Sequence, residues 1–250
     1  MGRWVDTVAR ACLTVGMVLM ASGPTRAEPA KTADLPVEQI EKIVRDYLLR
    51  EPQVVYDALQ ELQRRQAEAT AARQRTAIAQ NQRKLMDDPA SPVGGNPSGD
   101  VTLVEFFDYR CAYCRRVVSS LRALLDEDRD LRVVFKDLPV LGPDSVRAAR
   151  AALASRRQDG YVPFHFALMA ADDLSLPAIR ATAERLGLDP DQLEADMAAP
   201  EVNAAIEANY ALANELGIEG TPAFVIGKQL IPGAVDKTRL EQLIQQQRAG

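Results

Sequence analysis

Two cysteines three positions apart, Cys111 and Cys114, are the residues of this sequence best suited to chemistry. They follow an apolar run, residues 101–107, whose composition is typical of a strand buried on both faces. At the start of a helix, this spacing places both sulfurs on one face, close enough for a disulfide. The positive end of the helix also favours the thiolate of the first cysteine, which is the attacking species in disulfide exchange.

Three other uses of two cysteines compete with redox chemistry. A zinc site needs about four ligands, whereas residues 28–250 offer two cysteines and the distant His165. A purely structural disulfide would close a very short loop and would remove little entropy from the unfolded chain. Copper(I) held by two thiolates stays open, because soft ligands suit that ion. We favour a redox pair, and we expect no bound metal or cofactor.

Residues 1–27 have the pattern of a secretory signal peptide. Arg3 and Arg10 make the start basic, and the apolar run 11–22 is too short for a stable membrane span. Residues 25–27 fit a small-x-small cleavage site, so we expect cleavage after Ala27, with a retained anchor as the alternative. Export would place the chain in the periplasm, an oxidising compartment where disulfides persist.

Removal of this segment changes the charge and the cysteine count. It carries three arginines and one aspartate, so the net charge moves from −5 to −7. Such a charge argues against a nucleic-acid partner. Loss of Cys12 leaves two cysteines, an even number in an exported protein.

Residues 28–86 form a predicted helical extension before the cysteines. The first helix, 34–50, carries an apolar stripe, and the second, 52–85, becomes almost entirely polar after Leu62. We interpret residues 34–62 as a contact between copies of the chain and residues 63–85 as a stalk. The alternative is an arm that folds back on its own domain.

A segment rich in turn formers, residues 87–100, is the predicted linker to an α/β domain, residues 101–250. The two strands on either side of the cysteine helix are expected to be parallel. A helical block at about 143–216 follows, and then a strand that begins near Pro222. Proline has no N–H to give to a sheet, so Pro222 belongs at an edge or at a strand end, and an edge there would leave room for an extended peptide to pair.

Two segments of the sequence resemble one family. Glu-Phe-Phe-Asp-Tyr-Arg-Cys-Ala-Tyr-Cys, residues 105–114, and Gly-Thr-Pro-Ala-Phe, residues 220–224, are similar to the motifs of the DsbA-like thiol:disulfide oxidoreductases. The resemblance covers roughly residues 88–250 and implies an α/β thioredoxin fold with an inserted helical domain, here preceded by an N-terminal helical arm. That arm resembles the extension of ScsC-type members, some of which assemble into oligomers that act as isomerases.

The resemblance assigns roles to the cysteines and their neighbours. It implies that Cys111 is the nucleophile that forms the mixed disulfide and that Cys114 is the buried resolving cysteine. Ala112 and Tyr113 would tune the pair. Many relatives carry proline after the first cysteine, and the most oxidising carry histidine before the second; neither is present here, which makes a very strong oxidant less expected.

Further roles are implied for residues outside the cysteine pair. Pro222 is expected to be cis and, with Thr221, to face the disulfide and contact the client. Glu105 matches an acidic residue that relays protons beneath the site, with a solvent-facing glutamate as the alternative. Lys136 is its expected charge partner, and His165 is interpreted as structural.

The implied function is a periplasmic protein that forms or reshuffles disulfides in exported, cysteine-containing clients. A membrane redox partner, either an oxidase or a reductase, would restore it. The alternative is a thioredoxin-like binding module without redox turnover, either a holdase or a copper-binding protein.

Overall fold

The computed structural model describes residues 36–249. The predicted signal peptide, residues 1–27, lies outside these residues. The chain divides into two units, Met1–Asp57 and Ala58–Gly250. Across residues 36–249, every helix is too short or too polar to cross a membrane.

Three helices precede the sheet: α1 (Val37–Arg50), α2 (Gln53–Gln80) and α3 (Gln82–Met86). The break between α1 and α2 falls at Pro52, as predicted, because the residue before a proline avoids helical geometry. The second predicted helix, 52–85, is in fact two helices. Asn81 separates them and directs its side-chain amide back to the carbonyl of Ala77, 3.1 Å away.

A mixed five-stranded sheet carries the site. Its strands are β1 (Val93–Gly95), β2 (Val101–Phe107), β3 (Leu131–Asp137), β4 (Ala223–Ile226) and β5 (Gln229–Pro232), in the spatial order β1-β3-β2-β4-β5. As predicted, β2 and β3 are parallel, and α4 (Ala112–Glu127) connects them. The sequence did not predict β1, which lies inside the segment 87–100 and pairs antiparallel with β3.

Helices fill the chain between β3 and β4 and close it after β5. They are α5 (Pro143–Ala154), a 3₁₀ turn (Ser155–Gln158), α6 (Tyr161–Ala170), α7 (Leu176–Arg185), α8 (Pro190–Met197), α9 (Pro200–Leu216) and α10 (Lys237–Ala249). The segment 143–216 is thus a helical block between two strands of one sheet, and the expected α/β class is confirmed.

The two faces of the sheet bury different sets of side chains, because successive residues of a strand point to opposite sides. Leu103 and Phe107 of β2 lie in the core that contains both cysteines. Val104 and Phe106 lie on the other face, in a core with Ile78 and Leu85. The end of α2 and α3 therefore belong to the packing of the domain.

Lys136 is buried on this second face. Its ammonium group donates to the carbonyl of Lys84 at 2.7 Å, to Ser91 Oγ at 2.6 Å and to Asp88 Oδ2 at 3.0 Å. Glu105 lies on the opposite face of the sheet, with the register of Leu103 and Phe107. The expectation that Lys136 is the charge partner of Glu105 is therefore wrong. The ammonium group of Lys136 is hydrogen-bonded by residues 84–91 instead.

Loss of the Asp88 carboxylate should destabilise the domain. In Asp88→Asn the buried ammonium of Lys136 loses its charged partner, so we expect the free energy of unfolding to fall by about 1–3 kcal/mol. Asp87→Asn is the matched control, because Asp87 is exposed and makes the same change in net charge one residue away. Urea denaturation followed by circular dichroism measures both; equal stabilities would contradict this role for the pair.

His165 lies in an aromatic cluster on the cysteine side of the sheet. Its ring stacks on Tyr161 and packs against Phe107 and Phe135. The Nδ1 atom lies 3.1 Å from the hydroxyl of Tyr109, whereas Nε2 has no hydrogen-bond partner within residues 36–249. Burial lowers the pKa of His165 to about 3, so the folded chain holds the neutral ring.

His165 should make the fold sensitive to acid. Below about pH 6.5 the unfolded chain binds a proton that the folded chain excludes, so stability is lost as the pH falls towards 3. We expect wild type to lose up to about 1.4 kcal/mol per pH unit in this window relative to His165→Gln, which keeps a polar group but cannot titrate. Urea unfolding from pH 7 to pH 4 measures the difference; parallel profiles would count against a buried neutral imidazole.

Candidate active site

Cys111 and Cys114 occupy the start of α4, directly after β2. Cys111 is the N-cap residue, and its carbonyl accepts from the N–H of Arg115 at 3.0 Å. Both cysteines are free thiols in this structure. Cys111 keeps 7% of its surface exposed and Cys114 none. Burial raises the pKa of Cys114 well above its usual value, so this thiol needs a nearby base before it can react.

Asp108 shapes the turn that leads into the cysteines. Its buried carboxylate accepts from the N–H of Arg110 at 2.7 Å, the hydroxyl of Ser145 at 2.7 Å and the N–H of Leu141 at 2.9 Å. The N–H of Cys111 in turn donates to the Asp108 carbonyl. Sequence reasoning missed this residue, although an aspartate at the end of a strand is typical of an Asx turn.

The loop before β4 brings a second motif to Cys111. The Thr221–Pro222 peptide bond is cis, as expected. The thiol of Cys111 donates to the carbonyl of Thr221 at a distance of 3.1 Å between sulfur and oxygen. β2 pairs antiparallel with β4, and Phe106 lies opposite Ala223. This pairing brings together Cys111 and Thr221, which are far apart in sequence.

Glu105 is buried beneath the cysteines rather than exposed at a strand edge. Only 2% of its surface is accessible, so the solvent-facing alternative is wrong. Its Oε2 atom has no hydrogen-bond partner among the described residues. Burial, and then the negative charge of Asp137, raise the pKa of Glu105 to about 8. A carboxyl group with this pKa can exchange a proton near neutral pH; its relay role stays a prediction.

Asp137, at the end of β3, is a second buried carboxyl group that sequence reasoning did not single out. Tyr161 donates to its Oδ2 at 2.9 Å, and the side-chain amide of Asn209 donates to its backbone carbonyl at 3.0 Å. Burial raises the pKa of Asp137 to about 7, although hydrogen bonding from Tyr161 and Tyr109 opposes the rise. The sequence signal that could have identified Asp137 is its position two residues after Phe135, on the inward face of a buried strand.

Ala112 and Tyr113 form the exposed surface between the two cysteines. The Tyr113 ring is 57% exposed, and the guanidinium of Arg116 lies 5.3 Å from its centre. Their expected effect on the redox pair stays a prediction. Within residues 36–249, no group of three or more His, Cys, Asp or Glu side chains is arranged to hold a metal ion.

Two family models match this chain. Residues 102–245 match the DSBA-like thioredoxin domain, and residues 37–69 match the N-terminal domain of the copper resistance protein ScsC. The first match covers the strands β2 to β5, both cysteines and the Thr221–Pro222 loop. The second covers α1 and the first part of α2.

Solved structures agree with these matches. A thioredoxin-like oxidoreductase from Silicibacter pomeroyi is 46% identical, covers 68% of this chain and 99% of its own, and has a TM-score of 0.66. A linker-deletion mutant of Proteus mirabilis ScsC is 30% identical, covers 87% of this chain and 99% of its own, and has a TM-score of 0.64.

The curated relatives that match are much longer proteins. The Na(+)/H(+) antiporter NhaA of Herminiimonas arsenicoxydans is 30% identical over 174 residues, which is 66% of this chain but 28% of the antiporter. That likeness concerns one part of the antiporter. The expected thioredoxin fold with a helical insert and a helical N-terminal region is confirmed, and the chain belongs to the family of proteins with a DsbA-like thioredoxin domain.

Proposed function

We propose that this chain is a periplasmic thiol:disulfide interchange protein that forms or reshuffles disulfides in exported proteins through Cys111 and Cys114. The observation that carries the proposal is the contact between Cys111 Sγ and the carbonyl of Thr221. Cys111 is the one cysteine of the pair that keeps some exposed surface. The contact joins it to a backbone segment at a strand end, where an extended client could lie.

The chemistry follows from the different burial of the two sulfurs. In the oxidising direction, a client thiolate attacks Cys111 of the Cys111–Cys114 disulfide, and Cys114 leaves as a thiolate that takes up a proton. A second client thiolate then attacks the mixed disulfide, so the client gains a disulfide and Cys111 leaves as a thiolate. Two electrons have then passed from the client to the pair; both client thiols have lost their protons, and Cys114 has taken up one proton.

Reshuffling uses the same atoms from the reduced pair. Cys111 attacks a wrong client disulfide, and the released client thiolate attacks elsewhere in the client and frees Cys111 again. If the client does not rearrange, Cys114 attacks the mixed disulfide and releases the client. Glu105, which is buried and whose charge acts on Cys114, would accept the proton of Cys114. A membrane oxidase or reductase would restore the starting state of the pair.

The arm supports a proposal of self-association. No residue of α1 is buried, although the helix carries a stripe of large apolar side chains at Ile40, Ile43, Val44 and Tyr47. Leu59 and Leu62 of α2 are exposed apolar side chains as well. Burial of such a stripe between copies would be favourable. We propose a homo-oligomer held by residues within 34–85, which would favour isomerisation if assembly excludes a membrane oxidase.

The cysteine variants should separate attack from resolution. Incubated with a client disulfide, Cys114→Ser should accumulate a covalent mixed disulfide, because Cys111 attacks but no resolving thiol follows. Cys111→Ser should form none, because the remaining thiol is buried. Turnover should fall to the uncatalysed rate in both. Non-reducing electrophoresis and mass spectrometry of the adduct measure these outcomes.

The same experiment decides between an enzyme and a binding module. A wild-type chain that keeps clients from aggregating, or binds copper(I), yet never exchanges disulfides would support the module and would contradict the proposal. Residues 37–69 match the N-terminal domain of a copper resistance protein, so copper(I) binding is tested as well. The assay is repeated with and without a copper(I) chelator.

A charge on the apolar stripe of α1 should dissociate the oligomer. Ile43 is 59% exposed, so Ile43→Glu changes little within one copy but would place a carboxylate at the contact. For residues 28–250, we expect light scattering to show an oligomer for wild type and a monomer for Ile43→Glu. We also expect Ile43→Glu to shift from isomerase towards dithiol oxidase activity. Gln39→Glu, an exposed polar position on the same helix, is the control.

A monomeric wild type would remove the proposed contact. A deletion variant for the same test should end near residue 62 rather than 86. Ile78 and Leu85 are both buried in the second core, so a deletion through residue 86 would damage the domain itself.

A further inference from the structure

Two carboxyl groups lie on one face of the sheet beneath the cysteines. Glu105 of β2 pairs with Phe135 of β3, and Phe107 of β2 pairs with Asp137, so the two acidic residues are diagonal neighbours on adjacent parallel strands. Both are almost completely shielded from solvent. Buried carboxyl groups are costly unless they are neutralised or hydrogen-bonded, so two as neighbours call for an explanation.

Neither carboxyl group forms an ion pair within residues 36–249. Lys136 points to the other face of the sheet. The guanidinium of Arg156 donates to backbone carbonyls of Pro89 and Ala90, and its charge only opposes the rise in the pKa of Asp137. The groups that face the pair are the thiols of the cysteine helix, Tyr109 from the turn after β2, Tyr161 and His165 from α6, Asn209 from α9, and the apolar Phe224 from β4. The electrostatic environment therefore favours protons on the pair over two negative charges.

Each of the two residues has at least one carboxyl oxygen without a hydrogen-bond partner among the described residues. Asp137 uses Oδ2 to accept from Tyr161, while its Oδ1 and the Oε2 of Glu105 have no partner within residues 36–249. Two neighbouring buried acids ionise as a coupled pair, because the negative charge of one raises the pKa of the other.

We propose that Asp137 and Glu105 ionise as a coupled pair, and that this pair takes up the proton that Cys114 loses when it attacks the mixed disulfide at Cys111. The proposal rests on the proposed disulfide exchange. In this step the Cys114 S–H proton passes to Glu105, a Cys111–Cys114 bond forms, the Cys111–client bond breaks, and the client leaves as a thiolate. In the oxidising direction, the same proton returns to Cys114.

Asp137 acts through Glu105 and is a positioning residue rather than a catalytic one. Its negative charge makes Glu105 hold its proton to a higher pH, because a second negative charge nearby is unfavourable. The pair would then give and take a proton near neutral pH, where exported proteins form their disulfides. A lone Glu105 would ionise at lower pH and would be a weaker base for the shielded thiol of Cys114.

The test is the pH profile of the resolving step. Reduced protein is mixed with oxidised glutathione, quenched with acid at intervals from pH 5 to pH 9.5, and the mixed disulfide and the Cys111–Cys114 disulfide are counted by mass spectrometry. We expect the wild-type rate of resolution to rise with a midpoint near pH 8. Asp137→Asn should move the midpoint down by at least about half a pH unit, because the second charge is gone.

Two variants make the result specific. Asp196→Asn removes another buried carboxylate, which lies on α8 and pairs with Arg157 of the 3₁₀ turn, and should leave the midpoint unchanged. Glu105→Gln should slow resolution and remove this midpoint from the profile. An unchanged midpoint in Asp137→Asn would overturn the pair while leaving disulfide exchange intact. A wild type that never forms a mixed disulfide would instead overturn the proposed function.

A measurement on wild type keeps the inference testable if Asp137→Asn does not fold. Carbon-13 labels on the aspartate and glutamate carboxyl groups of the reduced protein allow both resonances to be followed with pH. Coupled ionisation makes each resonance titrate in two steps, because each group senses the ionisation of the other. Two independent single-step curves would contradict the proposal.

Discussion

Burial of Cys114 on the inner face of the sheet is the constraint on which the rest of the site depends. A shielded thiol is a poor nucleophile, because its thiolate is costly in an apolar environment. Disulfide exchange by this pair would therefore need one sulfur that a client can reach and a proton acceptor for the other. Cys111, at the N-cap of α4, keeps part of its surface exposed, and Glu105 is the proposed proton acceptor.

The two faces of the sheet carry different groups. Its inner face carries Glu105, Asp137 and the cysteines, whereas its outer face carries Lys136 and the core formed with α2 and α3. Adjacent residues of β3 thus point to opposite faces of the sheet: Lys136 binds residues 84–91 on the outer face, and Asp137 lies on the inner face as a diagonal neighbour of Glu105. Because the ammonium of Lys136 binds residues 84–91 on the outer face, no cation from β3 neutralises the acids on the inner face.

Local sequence signals were sufficient for much of this architecture. The apolar run before Cys111 and the spacing of the cysteines predicted a strand followed by a helix, and the motif around Pro222 predicted the loop opposite them. What failed depended on register. Lys136 and Asp137 are neighbours in sequence, so only the pairing of β3 with β2 decides which of them faces Glu105. Likewise, β1 was missed because three residues among turn formers carry no periodicity, and Asp108 because its partners come from elsewhere in the chain.

The most direct test of a redox centre built by this fold is an equilibrium titration of residues 28–250 in glutathione buffers, with the disulfide counted by mass spectrometry. We predict a reversible two-electron transition between two thiols and one Cys111–Cys114 disulfide, and a different midpoint when the chain is unfolded in urea, because the buried environment sets the balance. Cysteines that stay reduced at every potential, or a midpoint that unfolding leaves unchanged, would contradict the account.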